Sequence, residues 1–392
     1  MILADTGILV HLGEMHSLVL TNARIVLPDR VVETSITIAD GVISSIGSDS
    51  SLGKEGEDLE GDLLIPGLID LHTDNLERQV LPRQNARFPS VSAFLAHDAQ
   101  CVAAGITTVF DSLCLGNLGF EEERMLTCRD GVKDLDTLTS GNMLKAEHFL
   151  HLRCEMPAPD TLDMLRPLAE HPRLKLASLM DHVPGYGQYS DLTRYRALLQ
   201  SDGYSVEETE NQIQQAQARR STLRRPNRNA ILDLLRPRGV ALASHDDRTE
   251  EEIAENTADG VKISEFPVSL VAAQAARAAG MAIIGGAPNV VRGGSHSGNV
   301  SVAELLQNGL IDALASDYVP FAMLEAAFMA ASIACLDLPA AIRLVTEAPA
   351  TMTGLHDRGR IAPGLRADLV RVHVHLGTPV VRAVWRQGER VA

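Results

Sequence analysis

Two patterns of apolar and polar positions divide the chain into β-rich ends around a different middle. From Ser17 onward come short strand-like runs, Leu18–Leu20, Ala23–Leu27 and Thr34–Ile38, and then Val42–Gly47 across the turn Ala39-Asp40-Gly41. Alternating apolar positions mark half-buried strands, and Asp-Gly between two such runs predicts a tight hairpin. The same style returns in Ala367–Val372 and Val380–Trp385. Both chain ends are therefore expected to meet in one small β-sandwich, covering residues 17–65 and 360–392.

Between them, 66–359 reads as short continuous apolar runs separated by alanine-rich amphipathic stretches. The runs are Leu64–Leu71, Ile106–Phe110, His148–Cys154, Leu174–Met180, Val240–Ala243, Val261–Ile263, Met281–Ile284 and Ile311–Ala315. Continuous runs suit parallel strands buried on both faces, and the intervening stretches suit crossover helices. Eight of them predict an α/β fold built on a closed (β/α)8 barrel of the TIM type. Ser90 is placed as the N-cap of a helix over Val91–Ala104, with Gly105 ending it. The stretch 189–238 is too long for a simple connection and rich in Gln and Arg, so it predicts a helical excursion over the barrel mouth.

Composition changes this picture little. The 392 residues are 45% hydrophobic and 22% charged, enough for one large domain and a small one. A net charge of −16 argues against nucleic acid as a partner and requires a local basic pocket for any anionic ligand. The five cysteines form no C-x-x-C pair, which suits a reducing compartment. No apolar run has the length of a membrane span, and Met1–Glu14 lacks a basic leader, so a cytoplasmic protein is expected. Met15 is an alternative start, because the strand pattern begins just after it. The oligomeric state is left open, a homo-oligomer being compatible.

The chemistry lies where polar residues follow the apolar runs. One run ends in His72-Thr73-Asp74, and others in Glu155, Asp181-His182, His245-Asp246-Asp247 and Ser316-Asp317. In a barrel these ends share the C-terminal rim, where active sites are built. Three histidines and several carboxylates converging there make a site for a divalent metal ion. In His72-x-Asp74 the two side chains lie on one side of a strand end and can reach one ion. Such an ion lowers the pKa of water towards neutrality, and a neighbouring carboxylate can take the proton, which is hydrolysis. His97, His148 and His151 are read instead as hydrogen-bonded structural histidines, and Asp181 and Asp246 as either helix caps or partners of the ligands.

Ile65-Pro66-Gly67-Leu68-Ile69-Asp70-Leu71-His72, the closing Gly359–Val370 and Ser316-Asp317 together resemble the amidohydrolase superfamily. The resemblance implies that His72, Asp74 and Asp317 serve one ion, that His182 and His245 serve another, that Glu155 bridges them, and that Asp317 is the general base. Two departures stand out: Asp74 replaces the usual second histidine, and Glu155 stands where many relatives carry a carboxylated lysine. One ion or two are therefore compatible, zinc being the first expectation and manganese, iron or nickel also suiting these donors. His72–Glu77, Ala146–Glu155, Ser178–His182, Ala243–Asp247 and Gly286–Asn299 narrow the resemblance further. They are similar to the α-D-ribose 1-methylphosphonate 5-triphosphate diphosphatase family of the carbon–phosphorus lyase pathway. That implies release of pyrophosphate from a small anionic sugar triphosphate.

The glycine-rich loop Val291–Asn299 fits such a ligand, since glycines admit backbone N–H groups to a phosphate and Arg292 offers a planar fork. Arg292, Ser295 and His296 are the loop's candidate contacts, with Arg153, Arg78 and Arg83 as further cations. The competing readings are a C–N hydrolase of the same superfamily acting on a cyclic amide or amine, and a non-catalytic scaffold that has lost its metal.

Overall fold

The computed structural model describes residues 17–47, 56–83, 86–118, 122–295 and 298–392. Met15, the alternative start, lies outside them. Among the described residues, sixteen strands form two eight-stranded sheets. The first joins β1 (Ser17–Val26), β2 (Val31–Ala39), β3 (Val42–Ile46), β4 (Glu57–Asp58) and β5 (Leu63–Pro66) from the N-terminal side. From the C-terminal side it adds three more strands. The barrel sheet is parallel throughout and runs β6 (Leu68–Thr73), β7 (Ile106–Leu115), β8 (Glu147–Glu155), β9 (Leu174–Met180), β10 (Ala241–His245), β11 (Ile263–Glu265), β12 (Ala282–Gly286) and β13 (Ala313–Ala315). The last three strands are β14 (Leu369–His375), β15 (Thr378–Arg386) and β16 (Glu389–Arg390).

The two chain ends meet where β14 pairs antiparallel with β5, Leu369 opposite Pro66 and Val370 opposite Ile65. Leu20, Ile36, Ile38, Leu369 and Trp385 share one buried core there, so neither end can bury its apolar face without the other. Asp40 (φ 51°) and Gly41 (φ 80°) make the β2–β3 turn in the left-handed region that a two-residue hairpin needs.

Two local expectations change. The continuous run Leu64–Leu71 is two strands: Leu63–Pro66 completes the first sheet and Leu68–Thr73 opens the barrel. Gly67 is the crossing point, because a Cβ there would collide with the Thr107 side chain. Both strands are buried along their length, so hydrophobicity alone shows no boundary. The helix expected from Val91 runs Ser90–Ala103, with Pro89 rather than Ser90 at the N-cap and no side-chain cap hydrogen bond. Gly105 follows the C-cap with φ 89°, as its place in the sequence requires.

Closure of the barrel is uneven. β6 and β13 meet at the rim, where Asp317 N donates to His72 O at 2.9 Å and Asp74 N donates to Asp317 O at 2.6 Å. Lower down the backbone of Leu344-Val345 fills the gap, accepting from Leu314 N and Ile69 N at 2.9 Å each. Ile69, Leu71, Phe110, Phe149, Leu176 and Ile284 pack the interior, so the barrel is filled below the rim.

Between β7, β8 and the helix Ser90–Ala103 lies a buried ionic chain. His97 Nε2 is 2.8 Å from Asp111 Oδ1, His148 Nδ1 is 3.0 Å from Asp111 Oδ2, and His148 Nε2 is 3.2 Å from Asp98 Oδ1. These bonds tie the helix to the barrel wall, and His97, Asp111 and His148 also offer ligand atoms within 4.8 Å of one another. Burial opposes charge on His148, but Asp111 and Asp98 outweigh it and push its pKa up to about 9. Burial likewise opposes charge on Asp111, whose histidine partners nevertheless hold it at about 2.

The sign of the pH effect follows. The raised histidine contributes in full below its unfolded value near 6.5 and loses that contribution as pH rises through about 9. The stability gap between the wild type and His148→Asn should therefore narrow from pH 6 to pH 9.5 in urea unfolding; a constant gap would contradict this. Asp111→Asn, which strands the buried histidines, should cost roughly 3–5 kcal/mol near neutral pH.

Candidate metal centre

Strand ends bring the predicted donors to one rim in two groups. His72, Asp74 and Asp317 form the first, with one ligand atom from each lying within 4.8 Å of the others. His182, His245 and Asp246 form the second by the same measure. His72 is the last residue but one of β6 and Asp74 follows the strand, their Nε2 and Oδ1 atoms 3.6 Å apart. Asp317 joins them because its own backbone makes the β6–β13 closure. Asp246 Oδ2 lies 3.5 Å from His182 Nε2 and 3.7 Å from His245 Nε2, between the two rings.

Each histidine is oriented from behind by a carboxylate. His72 Nδ1 is 2.9 Å from Glu265 Oε1, and His245 Nδ1 is 2.8 Å from Glu265 Oε2. His182 Nδ1 contacts Glu155 Oε1. A proton on Nδ1 held by a carboxylate leaves Nε2 as the bare lone pair, the arrangement a metal ligand needs. His182 Nε2 and Asp246 Oδ2 are buried without a hydrogen-bond partner, and both face the region between the donors. The donor set therefore fits a divalent cation. The electrostatics agree: burial opposes charge on His72, yet Glu265 and Asp74 outweigh it and push its pKa up to about 10. A field that favours an imidazolium favours any cation placed there. Burial and the neighbouring Asp74 push the Asp317 carboxyl up to about 6.

Sequence reasoning missed Glu265, although the signal was present: the run Val261–Ile263 continues into Ser264-Glu265, another strand ending in a carboxylate. Glu155 stands outside both donor groups, its carboxylate engaged by His182 through Nδ1 and, at 3.4 Å, the backbone N. Asp181 is a partner of the excursion: its Oδ2 accepts from Arg220 Nε at 2.7 Å and lies 3.2 Å from Arg224 Nε. His151 is buried, with Nδ1 2.9 Å from Leu71 O and Nε2 2.5 Å from Ser178 Oγ, a structural role as expected.

The donors open into a cavity of about 720 Å³. Of the six residues expected to bind substrate, Arg153, Arg292 and Ser295 line it, whereas Arg78 and Arg83 do not. Arg78 donates to Tyr318 O at 2.9 Å, behind the rim, and Arg83 is exposed on the turn after the helix Asn75–Val80. His296 lies outside the described residues. Arg153 is buried and gives Nη1 to Asp74 Oδ1 at 2.6 Å, so it fixes a donor as well as facing the cavity. Arg124, unmarked in the sequence because it lies on a helix and not at a strand end, also lines it. The excursion folds as two helices, Leu192–Ser201 and Val206–Leu235, which contribute Tyr195, Leu199 and Ala216 to one wall.

Comparison with known proteins follows from this geometry. The amidohydrolase family pattern matches residues 272–392. The chain is 42% identical over 380 residues to the alpha-D-ribose 1-methylphosphonate 5-triphosphate diphosphatase of Escherichia coli strain K12, covering 95% of this chain and 100% of that protein. It is 25% identical over 369 residues to an adenine deaminase of Desulfatibacillum aliphaticivorans, covering 91% of this chain and 55% of that one. Among solved structures, N-acetylglucosamine-6-phosphate deacetylase from Pasteurella multocida superposes with a TM-score of 0.63 at 13% identity, covering 96% of this chain and 99% of that one. The 5-methylcytosine deaminase from Klebsiella pneumoniae superposes at 0.62 and 15%, covering 96% and 97%. Those two likenesses establish the fold, while the identity and coverage of the first relative establish more: the chain belongs to the alpha-D-ribose 1-methylphosphonate 5-triphosphate diphosphatase family of the amidohydrolases.

Proposed function

We propose that this chain hydrolyses a phosphoanhydride of α-D-ribose 1-methylphosphonate 5-triphosphate, releasing pyrophosphate and leaving the 5-phosphate. Beyond its relative of known name, one observation carries this reading. Arg292, on the glycine-rich loop after β12, lines the same cavity as the metal donors and has no carboxylate partner among the described residues. Its Nη1 reaches only Tyr318 Oη, at 3.4 Å. On a chain of net charge −16, a cation left unpaired beside a metal-donor rim suits a small polyanion.

In this reading His72, Asp74 and Asp317 hold one divalent ion, and His182, His245 and Asp246 a second. When bound, such ions would supply Lewis acidity for hydrolysis of the phosphoanhydride. Zinc remains the first expectation, with manganese, iron or nickel suiting the same donors. Asp317 takes the proton of the attacking water, held at the rim by its own backbone bonds to His72 and Asp74. Arg292 and Ser295 bind the phosphate chain, with His296 on the same loop, and Arg292 offsets the charge that grows on departing pyrophosphate. Arg153 is committed to Asp74 Oδ1 while also lining the cavity. A bridging role for Glu155 would require its carboxylate to leave His182.

Pyrophosphate release from the ribose triphosphate, measured beside ammonia-release and amide-hydrolysis assays, tests the reaction. Activity confined to amides or amines would overturn it in favour of C–N hydrolysis. Chelation should abolish turnover, and the ion that restores it identifies the metal; full activity in metal-free protein would remove the metal reading. Asp317→Asn should lower kcat by about 10²-fold or more with an unchanged circular dichroism spectrum. Arg292→Ala should act mainly on KM, raising it roughly tenfold, as loss of one charged hydrogen bond to substrate predicts. Near-normal rates in the first variant, or unchanged KM in the second, would withdraw the corresponding assignment.

A further inference from the structure

Glu265 is fully buried at the end of β11, one strand along from His245 and across the barrel from His72. Parallel pairing sets it opposite His245 in register, so the two side chains rise from the same level of adjacent strands. Its two carboxylate oxygens are divided between the donor groups. Oε1 takes His72 Nδ1 at 2.9 Å, from the group containing Asp74 and Asp317. Oε2 takes His245 Nδ1 at 2.8 Å, from the group containing His182 and Asp246, and also accepts from Ser178 Oγ at 2.8 Å. The two imidazole rings stack with centroids 5.8 Å apart, which is the consequence of hanging both on one carboxylate.

These bonds engage the Nδ1 side of both rings at hydrogen-bond distance. Buried atoms without a hydrogen-bond partner lie at His182 Nε2 and Asp246 Oδ2. Glu265 also offers, with His72 and His245, ligand atoms within 4.8 Å of one another. Each histidine has one carboxylate behind it, but only Glu265 serves a histidine of each group.

We propose that Glu265 is a positioning residue shared by both metal centres: by accepting Nδ1–H from His72 and His245 together, it fixes both Nε2 lone pairs on the cavity and couples the occupancy of the two ions. The inference rests on the metal reading above and names the side chain that joins the two halves. A glutamine of the same shape cannot replace it. An amide has one accepting oxygen and one donating NH2, so one of the two histidines must meet a donor and turn or change tautomer.

Two measurements test this, neither requiring turnover. Metal-depleted wild-type protein titrated with Zn²⁺ by calorimetry should take up two ions. In Glu265→Gln the affinity for at least one ion should fall by about 10–100-fold, the usual cost of losing a partner behind a metal-binding histidine, and in Glu265→Ala, which removes both oxygens, the affinity for both should fall. A Glu265→Gln titration that overlays the wild type, or a Glu265→Ala titration in which only a single ion is weakened, would overturn the shared role. A wild-type protein that binds no Zn²⁺ would instead overturn the metal reading beneath it. The second measurement needs no variant and so survives a folding failure. In metal-depleted wild type labelled with ¹⁵N-histidine, His72 and His245 should both show a protonated Nδ1, and on addition of Zn²⁺ that proton should stay while Nε2 alone takes the metal-dependent shift. The opposite tautomer at either ring would refute the proposal.

Discussion

The arrangement depends first on how the barrel closes. β6 and β13 meet only at the rim, and they do so through the backbones of the residues that carry the chemistry: Asp317 N on His72 O, and Asp74 N on Asp317 O. Asp70 strengthens the seam from within, its Oδ1 accepting from Ser316 N at 2.9 Å. Closure and the first donor group are one feature. A shift of one residue between these strands would unmake both, because side chains on a strand alternate faces. Below the rim the same seam is filled by Leu344-Val345, so the barrel is held shut without a full ladder between its first and last strands.

The second constraint is the handling of buried charge. Six of the eight barrel strands end in or lead into carboxylates or histidines, buried or half-buried, where each unpaired group would be costly. The structure pairs them in layers. Glu265 and Glu155 stand behind the histidines, Arg153 stands against Asp74, and Arg220 and Arg224 from the excursion hold Asp181. The polar atoms left over point inwards, at His182 Nε2 and Asp246 Oδ2. The long helix Val206–Leu235 is therefore more than a cover: its arginines neutralise the rim from outside while the neighbouring tyrosines shape the cavity wall.

Backbone conformation at the rim reflects the same demand. Asp246, Phe266 and Asp317, each following a barrel strand, adopt φ of 56°, 54° and 57°. Such values are uncommon for residues with a Cβ, and for a bulky phenylalanine they are held only by surrounding structure. At Asp246 and Asp317 the turn re-aims a carboxylate across the barrel mouth towards the histidines. Phe266 packs its ring against His72 and His245, at 4.9 and 5.6 Å between centroids, and so bounds the side of the donor pair.

Periodicity was enough to read eight buried runs, two β-rich ends and a helical excursion, because apolar burial writes its period directly into the chain. It was also enough to place His72, Asp74, His182, His245 and Asp317 on one rim, since each directly follows a run or closes one. What it did not contain was distance between strands. The apolar run around Gly67 belongs to two sheets, a division made by a contact with Thr107, forty residues on in the chain. Glu265 followed a run as plainly as its neighbours, yet its role arises only from facing His72 across the barrel, 193 residues away in sequence. Asp246 became a donor, Asp181 an anchor and Arg78 a brace for similar reasons. Sequence determined which residues reach the rim, because strand direction is local; only the tertiary structure decided which of them face one another, because closing a barrel sets side chains from distant strands at hydrogen-bond range.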